Sequence, residues 1–398
     1  MPERIGILAT HPVQYQAPWF RYLADRVSLT VYYAHEQSPK DQAEAGFDVE
    51  FKWDNDLLGG YEYRWLHNIS SRRSKSKFLR YNTPDIYDIV RNGGFSGFLV
   101  LGWNYLSAWQ ACRACLQSAV PVFMRGDSQL GTRRSALLLL LKRFVYPYGL
   151  GRFAGHLYVG KRNREYLINY GVPAKNLYFA PHFVDCGYFQ TRAEAAESSG
   201  QCSHIRREHG IPESAFVYAF VGKLIEKKRP GDFLEAIGRY LQQDSSHDIH
   251  ALVVGDGPLG NSLRKAAEAL GDRVHFTGFI NQSEIPAYYR VADVVVLPSD
   301  ARESWGLVVN EAAACGRPAI VSEEVGCRPD LIDNEHTGFS YAVGDCAQLL
   351  ERMASARQVC TESLGAVRRA LADNSDQYSI PKATEGLLSA IEASSNSR

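Results

Sequence analysis

The residues best equipped for chemistry lie in the second half of the chain. Val221-Gly222-Lys223-Leu224 closes an apolar run, and Lys228 follows within the triplet Lys227-Lys228-Arg229. Two ammonium groups in the loop after a parallel strand are placed to neutralise a diphosphate. Alone, the triplet reads equally well as a basic surface loop. Val253-Val254-Gly255-Asp256-Gly257-Pro258 comes next. Glycines directly after a strand let backbone approach a ligand, although this run falls short of a full G-x-G-x-x-G fingerprint.

The strongest signal is Glu303-Ser-Trp-Gly306-Leu-Val-Val-Asn-Glu311. It lies between a predicted strand, Val294–Leu297, and a predicted helix, Leu307–Cys315. Glu303 then falls in the loop at the strand's carboxyl end. Gly306 and the amides of Leu307 and Val308 form a helix start, a natural seat for a phosphate. Glu311 lies one turn further in, where a carboxylate can accept bonds from both hydroxyls of a ribose. The blander alternative is an acid that favours the helix dipole, with a surface Glu behind it. The preceding glycine and lysine elements, in this order, weigh against that alternative.

These loops need strands to position them, and the chain supplies two series. Continuous apolar runs predict strands at Ile5–Ala9, Leu29–Ala34, Phe98–Gly102, Val120–Met124 and His156–Val159. Runs without alternation are those of strands covered on both faces by helices. A second series follows Gly210, at Phe216–Val221, His250–Val254, Val274–Phe276, Val294–Leu297 and Ala319–Ser322. Helical patterns at Gly231–Gln243, Leu259–Leu270 and Leu307–Cys315 separate them. The expected fold class is α/β: two Rossmann-like, doubly wound parallel-sheet domains facing across a cleft. The predicted domains are 1–188 and 205–380, the second carrying the lysine, glycine and glutamate motifs. The polar segment at about Thr191–His204 is the linker between them or a surface loop beside it, and composition allows disorder only near Ala195–Ser203 and at the Ser/Asn-rich end, Ser394–Arg398. A last amphipathic helix in 381–398 can pack back on the first domain.

Composition narrows the classes. The chain has 398 residues, 45% hydrophobic and 22% charged, with zero formal net charge. Its halves differ: up to Asp185 there are 23 Lys+Arg and 15 Asp+Glu, a net +8, and the remainder carries −8. That asymmetry argues against one uniform nucleic-acid surface and fits a first lobe that meets something anionic. Two solvated faces of opposite sign would look the same. Eight scattered cysteines suit a reducing compartment. Cys112 and Cys115 form one C-x-x-C without a second pair, so they read as small core residues on a helix rather than zinc ligands. Arg4–Ala9 opens as a strand, not a signal peptide. The longest apolar run, Ala136–Leu141, is far short of the roughly 20 residues that span a membrane. The expected location is cytoplasmic, with peripheral attachment to the inner face of the plasma membrane as an option.

In this order the motifs resemble glycosyltransferase family 4, a retaining family with the GT-B fold. The matching pieces are Gly222-Lys223-Leu224 with Lys228, Gly255-Asp256-Gly257-Pro258 and Phe276-Thr277-Gly278. They continue through Ala292-Asp293-Val294, Leu297-Pro298-Ser299, Glu303-x7-Glu311, Cys315-Gly316-Arg317-Pro318 and Gly326. The resemblance is dense over Phe216–Leu350 and thinner before it, where Val184-Asp185 matches but His182 stands in place of the usual Asn. It implies that Lys223 and Lys228 bind the donor diphosphate, although the first is more often Arg. It further implies that Glu311 holds the ribose, Glu303 contacts the transferred sugar, and backbone near Phe279 and Ile280 meets the base.

The first half departs from the family pattern. Thr10-His11-Pro12-Val13-Gln14-Tyr15-Gln16 replaces a Gly-Gly loop, and Arg125-Gly126-Asp127-Ser128 follows the strand after which a His is usual. His11, Arg125 and Asp127 are therefore the acceptor-side catalytic candidates beside Glu303. Their bland alternatives are a capping or core His and a local ion pair. Asp54-Asn55-Asp56 has the D-x-D form of metal–diphosphate sites but reads as a turn, so no metal or other cofactor is expected. Two basic stretches, Ser70–Tyr81 and Arg133–Arg143, are candidates for the acceptor or an anionic membrane surface. A solvated loop and a domain-packing helix are their plainer readings.

The function expected is retaining transfer of a sugar from a nucleotide-sugar donor to a glycan or lipid-linked glycan in surface polysaccharide biosynthesis. Nucleic acid is not an expected partner. The alternatives are a nucleotide-sugar epimerase or hydrolase of the same fold, or an inactive sugar-nucleotide-binding protein.

Overall fold

Each of the continuous apolar runs becomes a strand, and all but Val274–Phe276, which is only partly buried, are covered along most of their length. In the computed structural model, β1 (Arg4–Ala9), α1 (Gln16–Ala24), β2 (Ser28–Tyr33) and β3 (Glu62–Trp65) open the chain. They are followed by α2 (Ile86–Gly93), β4 (Gly97–Leu101), α3 (Leu106–Gln117), β5 (Val122–Gly126) and α4 (Ala136–Leu150). Next come β6 (Gly155–Tyr158), α5 (Lys161–Asn169) and β7 (Leu177–Phe179). The structure describes residues 3–38, 50–70, 78–131, 136–243 and 248–396, with 136–141 as backbone only.

The chain divides into two compact units. The first comprises Met1–Gln37, Asp56–His182 and Ser379–Arg398. Its seven strands form one parallel sheet in the order β3-β2-β1-β4-β5-β6-β7, with Ile5 facing Leu29 on one side and Gly97 on the other. The order reverses between β1 and β4, which is where a doubly wound sheet opens a crevice at its carboxyl edge. Ile7, Trp19, Phe20, Phe98 and Phe123 are fully enclosed around it. Cys112 and Cys115 are buried on α3 as core residues.

The second unit comprises Ser38–Asn55 and Phe183–Tyr378. It contains α6 (Cys186–Ser198), α7 (Gln201–Glu208), β8 (Phe216–Val221), α8 (Pro230–Gln243), β9 (Ile249–Val254), α9 (Gly260–Ala267) and β10 (Val274–Gly278). It continues with α10 (Ile285–Val291), β11 (Val294–Leu297), α11 (Val308–Ala314), β12 (Ala319–Ser322), α12 (Arg328–Leu331) and β13 (Gly338–Tyr341). The helices α13 (Cys346–Glu362) and α14 (Leu364–Gln377) complete it, and α15 (Ile380–Ser395) returns to the first unit. The second sheet is also parallel, ordered β10-β9-β8-β11-β12-β13, with its reversal between β8 and β11.

Three expectations need correction. Thr191–His204 is not a linker, and Ala195–Ser203 is not disordered, because α6 and α7 run through the segment. Its alanines and glutamates are strong helix formers, and Asp185 caps α6 by accepting the Tyr188 amide at 3.0 Å. The divide falls between His182 and Phe183 rather than at 188, and the stretch Ser38–Asn55 belongs with the second unit. Of the basic stretches, Arg72, Arg73, Lys75, Lys77 and Arg133 lie outside the described residues, as do the side chains of Leu137–Leu141.

Candidate functional site

The lysine and glutamate motifs meet at the carboxyl ends of β8 and β11, beside the reversal of the second sheet. Gly222 follows β8 and Lys223 comes next, more than half buried. Burial first, and then the charges of Lys227 and Lys228, push the Lys223 ammonium down to about 8 against the opposing pull of Glu303. A lysine so placed is readily charged by an arriving anion. Lys228 Nζ stands 2.6 Å from Glu303 Oε2, and Lys227 Nζ is 3.7 Å from the same oxygen. Three cations thus share one carboxylate, which leaves a net positive cluster at the sheet's switch point.

The loop carrying Glu303 is fixed from both sides. Asp300 donates its amide to the Lys227 carbonyl at 2.9 Å, and the Glu303 carbonyl accepts from Gly326 at 3.1 Å. Buried Trp305 donates through Nε1 to Asn310 Oδ1 at 2.8 Å, which clamps the loop to α11. Gly306 has φ +100, and a Cβ there would fall 2.8 Å from Leu297 Cδ2, so a side chain at this position is strained. Leu307 and Val308 then begin α11, which ends at Ala314. So short a helix has a weak dipole, and the lysines carry most of the positive potential.

Glu311 lies on α11 and is only 3% exposed. The phenol of Tyr289, itself buried on α10, donates to its Oε2. Tyr289 is a site residue that the sequence reading missed. Nothing in its local pattern distinguishes it from a core aromatic.

The glycines of the β9 loop have a nearer neighbour than any ligand. A Cβ on Gly255 would sit 2.1 Å from the Gly222 carbonyl oxygen, and one on Gly257 would sit 2.8 Å from that of Leu224. Backbone bonds Gly222 to Val254, Leu224 to Asp256 and Gly255 to Gly278, each 2.9 Å long, lace the three loops together. Gly255 and Gly257 therefore set the loop that presents Lys223.

Beyond β10, Phe279 packs on Phe51 with ring centroids 4.2 Å apart, next to Ile280. Asn281 Nδ2 donates to the Lys52 carbonyl at 2.8 Å, and the Ser283 amide donates to both Asp54 oxygens at 3.2 Å. Phe51 and Asp54 come from the first half of the chain, so sequence order hid their place here. The Asp54-Asn55-Asp56 run is a turn, in which Asp56 Oδ1 accepts the Leu58 and Gly59 amides at 3.0 and 2.9 Å.

In the first unit, His11 follows β1, with its Nδ1 3.0 Å from Thr10 Oγ1. Arg125, near the end of β5, is 6% exposed. Its guanidinium donates to the Pro181 carbonyl at 2.7 Å and to that of Ala180 at 3.4 Å, and it lies 5.3 Å from the Trp19 ring centre. Burial lowers it to about 10, so it stays charged at neutral pH. Such an arginine organises the turn after β7 rather than exchanging protons. Asp127 acts electrostatically on Arg125 and on His182. Burial, and then Arg125, push His182 down to about 3. The histidine thus stays neutral, as an asparagine would. The structure brings Arg125, Asp127 and His182 into one cluster.

Known proteins are similar to this chain in sequence or in fold. Residues 203–358 match the family model described as "Glycosyl transferases group 1". The chain is 34% identical over 235 residues to a D-inositol 3-phosphate glycosyltransferase of Actinosynnema mirum, a match covering 55% of this chain and 52% of that protein. A namesake from Corynebacterium efficiens is 38% identical over 141 residues, covering 34% of this chain and 32% of the relative. The chain therefore spans about half the length, or less, of the curated relatives it matches. Anabaena Alr3699/HepE, solved in complex with UDP and glucose, superposes with a TM-score of 0.71 at 16% identity, over 98% of this chain and all of that one. A glycosyltransferase from Rickettsia africae superposes with a TM-score of 0.75 at 14% identity, over 99% and 98% of the two chains. The chain thus has the GT-B fold of these structures, and the group 1 glycosyltransferase match falls within the unit that holds Lys223, Lys228, Glu303 and Glu311.

Proposed function

We propose that this chain is a glycosyltransferase of family 4 type, which transfers a sugar with retention from a nucleotide-sugar bound by its second unit. The observation that carries this reading is the cluster of Lys223, Lys227 and Lys228 around Glu303 at the β8/β11 switch point. A diphosphate arriving there meets three cations and competes with Glu303 for Lys228. The lysines then stabilise charge that grows on the departing diphosphate as the anomeric bond breaks. Released from Lys228, the Glu303 carboxylate is free to contact the sugar, and Glu311 takes the ribose hydroxyls. No metal is required for this neutralisation. In the first unit, His11 and Asp127 are the candidates for contacting the acceptor, a glycan or lipid-linked glycan of surface polysaccharide synthesis.

UDP is the first base to test, because the Anabaena neighbour is solved with it. The experiment is a thermal-shift screen against UDP-, GDP-, ADP- and dTDP-sugars, with and without EDTA. Stabilisation by one nucleotide series, unchanged by EDTA, is the expected result. Lys228→Ala should then lower turnover about 10²–10³-fold. A folded protein that no nucleotide stabilises would count against the donor site, and full activity in Lys228→Ala against its assignment.

A further inference from the structure

The helix α4 is laid on the first unit with the wrong face inward for a surface in water. At 3.6 residues per turn, Lys142, Tyr146, Gly149 and Leu150 share one side, and Phe144, Val145 and Tyr148 share the other. The inward side carries the charge: Lys142 is 6% exposed, with its ammonium 4.9 Å from the Tyr146 ring centre. Tyr146 packs edge-on against Trp103 with centroids 4.6 Å apart, and a Cβ on Gly149 would lie 3.1 Å from Trp109. The outward side carries the apolar bulk: Phe144 is 74% exposed, Tyr148 73% and Val145 54%. Water disfavours this arrangement, since each large apolar side chain left exposed forgoes burial that stabilises the fold.

The charged side chains of this stretch of sequence have one sign. Between Asp127 and Glu165 the sequence holds eight Lys and Arg and not one Asp or Glu. Arg143 is exposed beside Phe144. Arg152 lies over the Tyr148 ring, 3.8 Å from its centre. It also lines an open groove of about 380 Å³ with Trp109, Cys112, Arg113 and Leu116. Leu116, on α3, is 49% exposed. Apolar knobs flanked by Arg143 and Arg152, in a stretch of sequence without carboxylates, fit an interface that is apolar inside and anionic at its surface.

We propose that the exposed side of α4, with Arg143, Arg152 and the adjoining α3 groove, docks on an anionic lipid bilayer. Phe144, Val145 and Tyr148 enter the interfacial region, and the arginines pair with lipid phosphates. Among the described residues no helix is long and apolar enough to cross a membrane, so this contact lies on the surface. The surface belongs to the first unit and the lysine cluster to the second, and its test uses no nucleotide.

The test is flotation of the full chain with vesicles of phosphatidylcholine alone and with about 30% phosphatidylglycerol, at low salt and at about 1 M salt, where the Debye length falls to about 3 Å. The wild type should float with the anionic vesicles and be released by salt. The double variant Phe144→Ser, Tyr148→Ser should bind at least about tenfold more weakly, since both anchors leave the interface. It should also melt at or above the wild-type temperature, because neither residue is buried. Arg143→Glu gives a second readout and should weaken binding without touching the apolar face. Wild-type protein that ignores anionic vesicles, or binds neutral ones equally well, overturns the proposal. So do variants that float like the wild type. A wild-type dimer that dissociates in the double variant, without vesicle binding, would reassign the face to a second copy of the chain.

Discussion

Lys223 faces a conflict that its neighbours do not. It is more than half buried, two further lysines stand close by, and one glutamate must serve all three. In the free protein its ammonium titrates at about 8. A bound diphosphate stabilises the charged form and raises that value, so donor binding takes up a proton above pH 8. The affinity for the nucleotide should therefore be flat below about pH 7.5 and fall by up to about tenfold per pH unit above 8. Lys223→Arg should abolish the slope, because arginine stays charged throughout. Titration calorimetry across pH 6.5–9.5 checks this, and a slope that persists in the arginine variant would point to another group. Glu311 makes a different demand. Its partner Tyr289 is fully buried, so Glu311→Ala leaves a phenol without its acceptor and should cost about 1–3 kcal/mol of stability beyond any loss of donor affinity. Tyr289→Phe removes the donor instead. It should cost about 1 kcal/mol and leave most of the donor affinity intact, by melting and by calorimetry.

At the scale of elements, the close approach of α15 to the edge strand β7 rests on one residue. A Cβ on Gly386 would lie 2.0 Å from the Phe179 carbonyl oxygen, a backbone atom that cannot swing away. Gly386→Ala should push the helix off the strand and destabilise the first unit by about 1–3 kcal/mol, despite the better helix propensity of alanine. Nucleotide binding to the second unit should not change, and a variant that melts at the wild-type temperature would refute the argument. The elements the sequence announced were those buried on both faces, β1, β2, β4, β8, β9 and β11, where continuous Val, Ile, Leu and Phe leave little ambiguity. Those it concealed lie at margins. β3 reads Glu-Tyr-Arg-Trp and is exposed along its length, and β7 has three residues. α6 and α7 were hidden for the opposite reason, since their polarity resembled a loop while their composition favoured helix. The lysine and glutamate motifs were legible because they are local in sequence. Tyr289, Phe51 and Asp54 were not, because only the folded sheet brings them to the same loops.

Neither unit is one continuous stretch of the molecule. The first is assembled from three segments, and the last of them, Ser379–Arg398, is separated from the others by nearly the whole second unit. That segment fills the core it joins. Ala383, Leu387, Ala390 and Ile391 have no exposed surface, and Thr384 Oγ1 accepts the indole N–H of fully buried Trp19 at 3.0 Å. A fragment of residues 1–182 therefore ends with Trp19 and the β6–β7 face uncovered, and the loss of four such side chains removes on the order of 5 kcal/mol of burial. A domain's whole stability is about 5–15 kcal/mol. The 1–182 fragment should accordingly bind hydrophobic dye and lack a cooperative melt. Joining residues 379–398 to it through a short Gly/Ser linker should restore one. The fragment 183–378 keeps its central cluster of Tyr218, Phe220, Phe233, Val253, Val296 and Met353 and gives up the contacts of residues 50–55. It should fold alone and keep the nucleotide-induced rise in melting temperature. A cooperative melt from residues 1–182 alone would show that α15 is an accessory. A nucleotide response lost from 183–378 would instead place part of the donor site on the first half of the chain.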